Sequence, residues 1–286
     1  LTKQELNLVF KRFHLFEFED LGKFPAFLRA YVTDLLTYQI NHFQIYKPLQ
    51  KKFKEVLEKT DTNKIVDVCS GSGGPVLQIV SDLDEKRGSK NPPLSVYLTD
   101  KYPNCSVFKE VKAKHIYPIF ESVDARDLPQ KFRGFRTLFT SFHHFKPKDA
   151  KQILHSATNA LDPIGVFEIT ERSLASFLTL VIGPLTALYF TFFLRPFTLG
   201  RLFWTYIIPV VPLLFAWDGL VSNLRSYTPE EMLAMAKEVD KEKKYSWEVG
   251  KVRSKFHILI TYLIGIPKNK QSRRKQRKNQ ILSFTK

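Results

Sequence analysis

The chain has 286 residues, 44% hydrophobic and 25% charged, with two cysteines and a formal charge of +16. Those values exclude a disordered chain and a disulfide-stapled miniprotein, and they leave room for one large α/β domain with additions. The charge favours anionic partners without choosing among nucleic acid, an acidic lipid surface and acidic small molecules.

Residues 1 to about 60 carry apolar side chains at helical spacing (Phe27, Leu28, Tyr31, Leu35, Leu36, then Leu49, Phe53 and Leu57), which predicts two or three helices. The opening LTKQELNLVFKRF lacks the apolar core and small-residue cleavage site of a secretory signal. Of the two cysteines, Cys69 sits inside a glycine turn where a disulfide would distort the chain. A reducing, cytoplasmic setting is therefore expected.

A strand is expected at Lys64 to Cys69, running into the turn Asp67-Val68-Cys69-Ser70-Gly71-Ser72-Gly73-Gly74 and then a helix from Pro75 to Leu83. Strands at Ser95 to Thr99, Ile116 to Val123, Thr137 to Ser141 and Gly165 to Thr170 alternate with helices at about Asn104 to Ala113 and at Pro147 to Leu161. Such alternation predicts a mostly parallel sheet covered on both faces.

After Arg172 the pattern breaks. Ser173 to Leu194 is 22 residues without a charge, and after Arg195 to Arg201 another 16 uncharged residues run from Leu202 to Trp217. The first arm is long enough to cross a bilayer, but the second is shorter and holds Pro209 and Pro212, and Arg195 and Arg201 would both have to reach the far side. A hairpin that dips into or lies on one leaflet fits better, with a buried helical cap or a dimer interface as the alternatives. Thr228, Pro229 and Glu231 then form a helix start, and two β-like runs, Tyr245 to Val252 and His257 to Ile264, close the domain as an antiparallel pair. The domain organisation expected is thus a helical segment 1–60 covering the cofactor site, a core domain 61–267 interrupted by 173–217, and a basic tail 268–286.

A glycine-bearing turn between a buried strand and a helix lets backbone N–H groups approach a ligand closely. The same physics serves the dinucleotide turn of dehydrogenases and an ordinary tight turn, so the loop alone does not choose. Asp100 ends the second strand, where a carboxylate can accept two ribose hydroxyls, and Asp124 follows the third, where one can accept an adenine amino group.

In these three features the chain resembles the class I S-adenosylmethionine-dependent methyltransferases, and the terminal strand pair matches that family's antiparallel seventh-strand hairpin. The usual loop reads D-x-G-x-G-x-G; here Cys69 replaces the first glycine, while Gly71 and Gly73 remain. The resemblance implies a Rossmann-like, seven-stranded, mostly parallel sheet with an antiparallel last strand, and S-adenosylmethionine as cofactor. It implies that Asp67, Cys69, Ser70, Gly71, Ser72 and Gly73 meet the amino acid part of the cofactor, Asp100 with Lys101 the ribose, and Asp124 with Ala125 the adenine, with Ser141 beside them. For each carboxylate the alternative is a helix cap or a surface charge.

The fourth strand ends in Ser141-Phe142-His143-His144, placing two imidazoles where a methyl acceptor would lie. Either suits deprotonation of a hydroxyl, and either can simply pack or cap the following helix. Glu171, after the fifth strand, is a further catalytic candidate and with Asp218 and Arg225 is expected on the substrate side, a structural ion pair being the competing role for these three; Tyr31 is also expected on the substrate side. No residue is assigned to a metal. The segment lacks the Asn/Asp-Pro-Pro-aromatic motif of methyltransferases acting on base amino groups. The expectation is methyl transfer to oxygen of an apolar or lipid-like small molecule at a membrane surface. The alternative is an RNA- or ribosome-directed enzyme that uses the basic tail KNKQSRRKQRK.

Overall fold

The computed structural model describes residues 11–71, 73–87 and 92–268. Ser72 and residues 269–286, which include nearly all of the basic tail, lie outside the described residues.

The chain order is α1 (Ala26–His42), α2 (Gln50–Thr60), β1 (Lys64–Val68), α3 (Gly74–Arg87), β2 (Ser95–Thr99), α4 (Cys105–Glu110), β3 (Ile116–Pro118), β4 (Phe135–Phe139), α5 (Pro147–Ala160) and β5 (Ile164–Glu168). The apolar insertion follows as α6 (Thr179–Phe190), α7 (Leu199–Leu202) and α8 (Val210–Arg225), and α9 (Pro229–Val239), β6 (Tyr245–Arg253) and β7 (Leu259–Pro267) close the fold. The seven strands form one sheet in the order β3-β2-β1-β4-β5-β7-β6, parallel through β5 and antiparallel at β7 and β6. This is the Rossmann-like architecture expected, with β7 inserted between β5 and β6 so that β6 forms the edge.

The pleat explains why β1, β4 and β5 read as continuous apolar runs. Ile65, Phe135, Phe139 and Phe167 point to one face and pack against α1, α2 and α3. Val66, Leu138, Ile164 and Val166 point to the other and pack against Ile153 and Leu154 of α5 and Met232 and Met235 of α9. On the first face Phe53 of α2 sits with its ring 5.0 Å from Phe135 and 5.2 Å from Phe167, with no exposed surface. Truncating such a ring to alanine costs about 3–5 kcal/mol. The charge inside β4 is accounted for as well: Arg136 donates from Nε and Nη2 to Asp162 Oδ2 at 3.0 and 2.8 Å.

Two expectations need correction. The third strand ends at Pro118 instead of Val123, because proline offers no N–H to a ladder and β3 at the sheet edge pairs only with β2. The first apolar arm is not one long helix: α6 has 12 residues with Pro184 inside it, flanked by 3₁₀ turns at Ala175–Leu178 and Thr191–Phe193. Twelve residues rise about 18 Å against a hydrocarbon core of about 30 Å. Among the described residues no single helix is long and apolar enough to cross a membrane; one pair, Leu199–Ile207 with Val210–Arg225, passes by length and composition but is bent by 74°.

Arg201 does not reach outward. It is 5% exposed, its Nη2 lies 2.7 Å from Asp34 Oδ2 of α1, and its guanidinium stacks 5.1 Å from the Tyr31 ring. Asp34 and Tyr31 thus fasten the tip of the insertion to α1.

Candidate active site

β1 delivers the chain into a turn that requires left-handed backbone three times: Cys69 at φ 60°, Gly71 at 53° and Gly73 at 72°. At Gly73 an added Cβ would stand 2.9 Å from Leu98, and at Gly74 it would stand 2.4 Å from Thr37 of α1. Cys69 occupies the place where the family pattern has glycine, and it keeps glycine's conformation at a cost of roughly 1–2 kcal/mol. Ser70 stitches the turn down, with its N–H donating to Thr99 O at 3.0 Å and its hydroxyl to Asp67 O at 2.9 Å.

Beneath the turn Asp67 is buried, and its Oδ1 accepts from the Thr137 hydroxyl at 2.6 Å. Burial pushes its carboxyl up to about 7. Asp100 reaches across from β2: its Oδ2 accepts from Gly71 N at 2.9 Å and its Oδ1 from Tyr102 N at 2.8 Å. Asp124 caps the short helix Ala125–Asp127, accepts from Arg126 Nε at 2.9 Å and Nη2 at 2.6 Å, and has Lys101 Nζ at 3.7 Å. The Arg126 hydrogen bonds hold that carboxyl down at about 2. Ala125 is buried in the core, but the backbone beside it ties to the site through Val123 N on Asp100 O at 2.9 Å. Asp67, Cys69, Ser70, Gly71, Gly73 and Asp100 therefore share one turn, while Asp124 is already engaged by a cation and a helix cap.

α1 roofs this turn. Thr33 comes within 3.5 Å of a Cβ built on Gly71, and Asn41 and Thr37 stand over Gly74. Thr33 also donates to Glu19 Oε1 at 3.3 Å, which leads from the turn into a second polar cluster.

That cluster is centred on the histidines. Glu168, ending β5 and 1% exposed, accepts at Oε1 from the N–H groups of Ser141 and Phe142 (3.0 and 2.7 Å), and its Oε2 lies 2.6 Å from His143 Nδ1. Burial pushes the Glu168 carboxyl up, but His143 and the N–H donors outweigh it, so the group is held below its ordinary value. His144 Nδ1 lies 2.8 Å from Asp20 and 3.5 Å from Glu17; these acids outweigh burial and raise it to about 9. Arg225 is buried, with Nη1 3.1 Å from Glu17 Oε1 and 2.6 Å from Asp20 Oδ2, and Nη2 donating to His144 O. Asp218 accepts Phe18 N at 2.9 Å; burial and the neighbouring Glu17 push it up to about 7. Burial and Asp218 push Glu19 up to about 8.

His143, His144, Asp218 and Arg225 are therefore brought together. Glu171 is not among them: its Oε2 pairs with Lys251 Nζ of β6 at 2.7 Å, the structural ion pair weighed against catalysis. Tyr31 packs against the insertion through Arg201 and Phe27. The residues that sequence reasoning missed are Glu17, Glu19 and Asp20, in a segment without periodicity, and Glu168, whose only signal was its position at the end of a buried strand.

A scan against protein-family models and a search of curated proteins match nothing to this chain. Solved structures do match in fold. The plantazolicin methyltransferase BpumL, in complex with a pentazolic desmethylPZN analog and SAH, aligns at TM-score 0.52 and 9% identity over 84% of this chain and 97% of that one. The same enzyme with a triazolic analog and SAH aligns at TM-score 0.51 and 9% identity over the same shares. A putative Zn-dependent alcohol dehydrogenase from Rhodobacter sphaeroides reaches 0.46 at 11% identity, over 83% and 98% of the two chains. The likeness is one of fold, a Rossmann-like sheet of seven strands shared with BpumL.

Proposed function

We propose that this chain is an S-adenosylmethionine-dependent methyltransferase acting at oxygen of an apolar or lipid-like acceptor on a membrane surface. The carrying observation is the left-handed turn from Cys69 to Gly73 with Asp100 docked on its Gly71 N–H, inside a seven-stranded sheet of methyltransferase order. In this reading the turn and α1 enclose the amino acid part of the cofactor, Asp100 takes the ribose, and the Asp124–Ala125 segment borders the adenine. That BpumL was solved with SAH supports the cofactor.

Bound S-adenosylmethionine would supply an electrophilic methyl group on a sulfonium; this chain would hold an acceptor hydroxyl in line with it, and the His143–His144 cluster would take the hydroxyl's proton. Positioning supplies most of the rate, and the cluster is needed because a hydroxyl carries a proton.

The membrane part draws support from the surface of the insertion. Val181, Leu185, Tyr189, Leu199, Ile207 and Leu213 are each 60–79% exposed. Contiguous apolar surface of this kind marks an interaction site. With no single spanning helix among the described residues, a monotopic hairpin fits, and the net charge of +16 suits an anionic leaflet.

Calorimetry with S-adenosylmethionine tests the cofactor. Wild type binds, and Asp100→Ala loses two charge-assisted ribose contacts, roughly 3 kcal/mol or about 100-fold; absence of binding by wild type refutes the reading. Flotation of full-length and 173–217-deleted protein on anionic vesicles tests the membrane, and equal flotation of both refutes it. Salt-sensitive RNA binding lost on removing residues 268–286 would favour the nucleic-acid reading instead.

A further inference from the structure

We propose that Glu17, His143 and His144 bind a divalent transition-metal cation such as Zn²⁺. The sequence suggested no metal, because Glu17 lies more than a hundred residues from the histidines and only the fold unites them. His143 is 1% exposed, and among the described residues its Nε2 has no hydrogen-bond partner. That nitrogen faces Glu17 Oε1 at 3.7 Å, beyond hydrogen-bond reach, while Glu17 Oε2 faces His144 Nδ1 at 3.5 Å. One ligand atom from each residue lies within 4.8 Å of the other two. Metal–ligand bonds of about 2.0–2.2 Å separate neighbouring ligand atoms of a tetrahedral site by roughly 3.4 Å, close to the 3.5 Å between Glu17 Oε2 and His144 Nδ1, whereas the 3.7 Å from His143 Nε2 is to the other oxygen of that carboxylate.

The surroundings are those a metal-binding imidazole uses. Glu168 Oε2, itself fixed by two backbone N–H groups, sits 2.6 Å from His143 Nδ1 and keeps the proton there, leaving Nε2 with its lone pair. Asp20 Oδ1 hydrogen-bonds His144 Nδ1 at 2.8 Å, a contact that the cation would replace at that nitrogen. Arg225 Nη1 at 3.1 Å and the Ser222 hydroxyl at 3.1 Å hold Glu17 Oε1, so Oε2 is the oxygen turned toward the cation.

The carboxylates of Glu17 and Asp20 face the Arg225 guanidinium, Glu168 lies against His143, and the His143 carbonyl oxygen accepts from Arg12 Nη2 at 3.1 Å. Two imidazoles with carboxylate oxygens suit Zn²⁺, Co²⁺ or Ni²⁺ better than Mg²⁺ or Ca²⁺. The cation and the proton-accepting role compete for the same two histidines, because a lone pair given to a metal cannot take a proton, whereas cofactor binding is read separately at the Cys69–Gly73 turn. Failure to bind S-adenosylmethionine leaves the metal site untouched, and the reverse holds equally.

The test uses the full chain, stripped with a chelator and titrated with Co²⁺ alone, followed by visible d–d absorption and competition with Zn²⁺. One saturable equivalent is expected, displaced by Zn²⁺. Glu168→Gln should weaken binding about 10–100-fold, Glu17→Gln and His144→Asn at least as much, and His155→Asn on exposed α5 not at all. Should the site variants fail to fold by circular dichroism, X-ray absorption of Zn²⁺-loaded wild type decides alone: two imidazoles in the first shell support the site and fewer overturn it. No saturable Co²⁺ band, or undiminished binding in folded Glu17→Gln and His144→Asn, also overturns it.

Discussion

Replacing Glu168 by glutamine changes one oxygen to an NH₂ at the point where β4 and β5 meet the histidines. The carboxylate receives Ser141 N, Phe142 N and His143 Nδ1 at 3.0, 2.7 and 2.6 Å, in a site 1% exposed. The amide oxygen can keep the two backbone N–H groups at neutral strength, about 1 kcal/mol weaker apiece, but its NH₂ then meets His143 Nδ1 donor to donor unless the imidazole moves its proton to Nε2, for a loss of about 3 kcal/mol together. For a chain of this size that is a Tm lower by roughly 6 °C or more. The pH dependence has a definite sign. Folding holds this carboxyl below its ordinary value, so its contribution is full above the unfolded pKa near 4.5 and is lost as pH falls through the lower folded value. The gap between wild type and Glu168→Gln, measured by urea unfolding from pH 8 down to pH 4, should stay flat to about pH 5 and then close. A variant within 1 °C of wild type at pH 7, or a gap that widens on acidification, would refute the account of Glu168.

Asp67 carries the opposite sign, since burial raises its carboxyl to about 7, so its ionisation opposes folding increasingly as pH climbs from about 4 and fully above 7. Asp67→Asn should flatten the loss of cofactor-free stability between pH 5 and pH 8; an unchanged slope in chemical denaturation would count against it. Gly73→Ala sets a Cβ 2.9 Å from Leu98 at φ 72° and should cost about 1–3 kcal/mol in stability, together with S-adenosylmethionine affinity by calorimetry. Leu185→Glu with Leu213→Glu, at side chains 60% and 64% exposed, should leave Tm within about 1 °C yet remove about 2 kcal/mol of apolar insertion per site, roughly 30-fold each in vesicle partition. Thr228→Ala breaks the capping box that starts α9 and should cost about 1 kcal/mol by thermal unfolding.

The sheet was readable in the sequence because strands buried on both faces are apolar throughout: Ile65 to Val68 and Ile164 to Phe167 needed no tertiary information. The α9 start was equally plain, since Thr228 and Glu231 exchange both hydrogen bonds locally. The turn was legible for the same local reason, except that Cys69 hid a glycine conformation behind a side chain. What the sequence concealed is what depends on distant partners. Glu17 and Asp20 acquire meaning only from Arg225 and the two histidines, all more than a hundred residues away. Glu171 looked catalytic until β6 presented Lys251. The length of an uncharged run overstated α6, because hydropathy does not register Pro184 or the 3₁₀ turns on either side.

Helix α1 touches two things that the sequence keeps far apart. Thr33, Thr37 and Asn41 on one side lie over Gly71 and Gly74, while Asp34 and Tyr31 on the other hold Arg201 at the tip of the insertion. The roof over the glycine turn and the apolar insertion therefore share one beam. To lift α1 as a rigid body is to part a largely buried ion pair, and to displace the tip of the insertion is to pull on the helix that closes over Gly71. Whatever the insertion rests on has a mechanical route to the turn at Gly71.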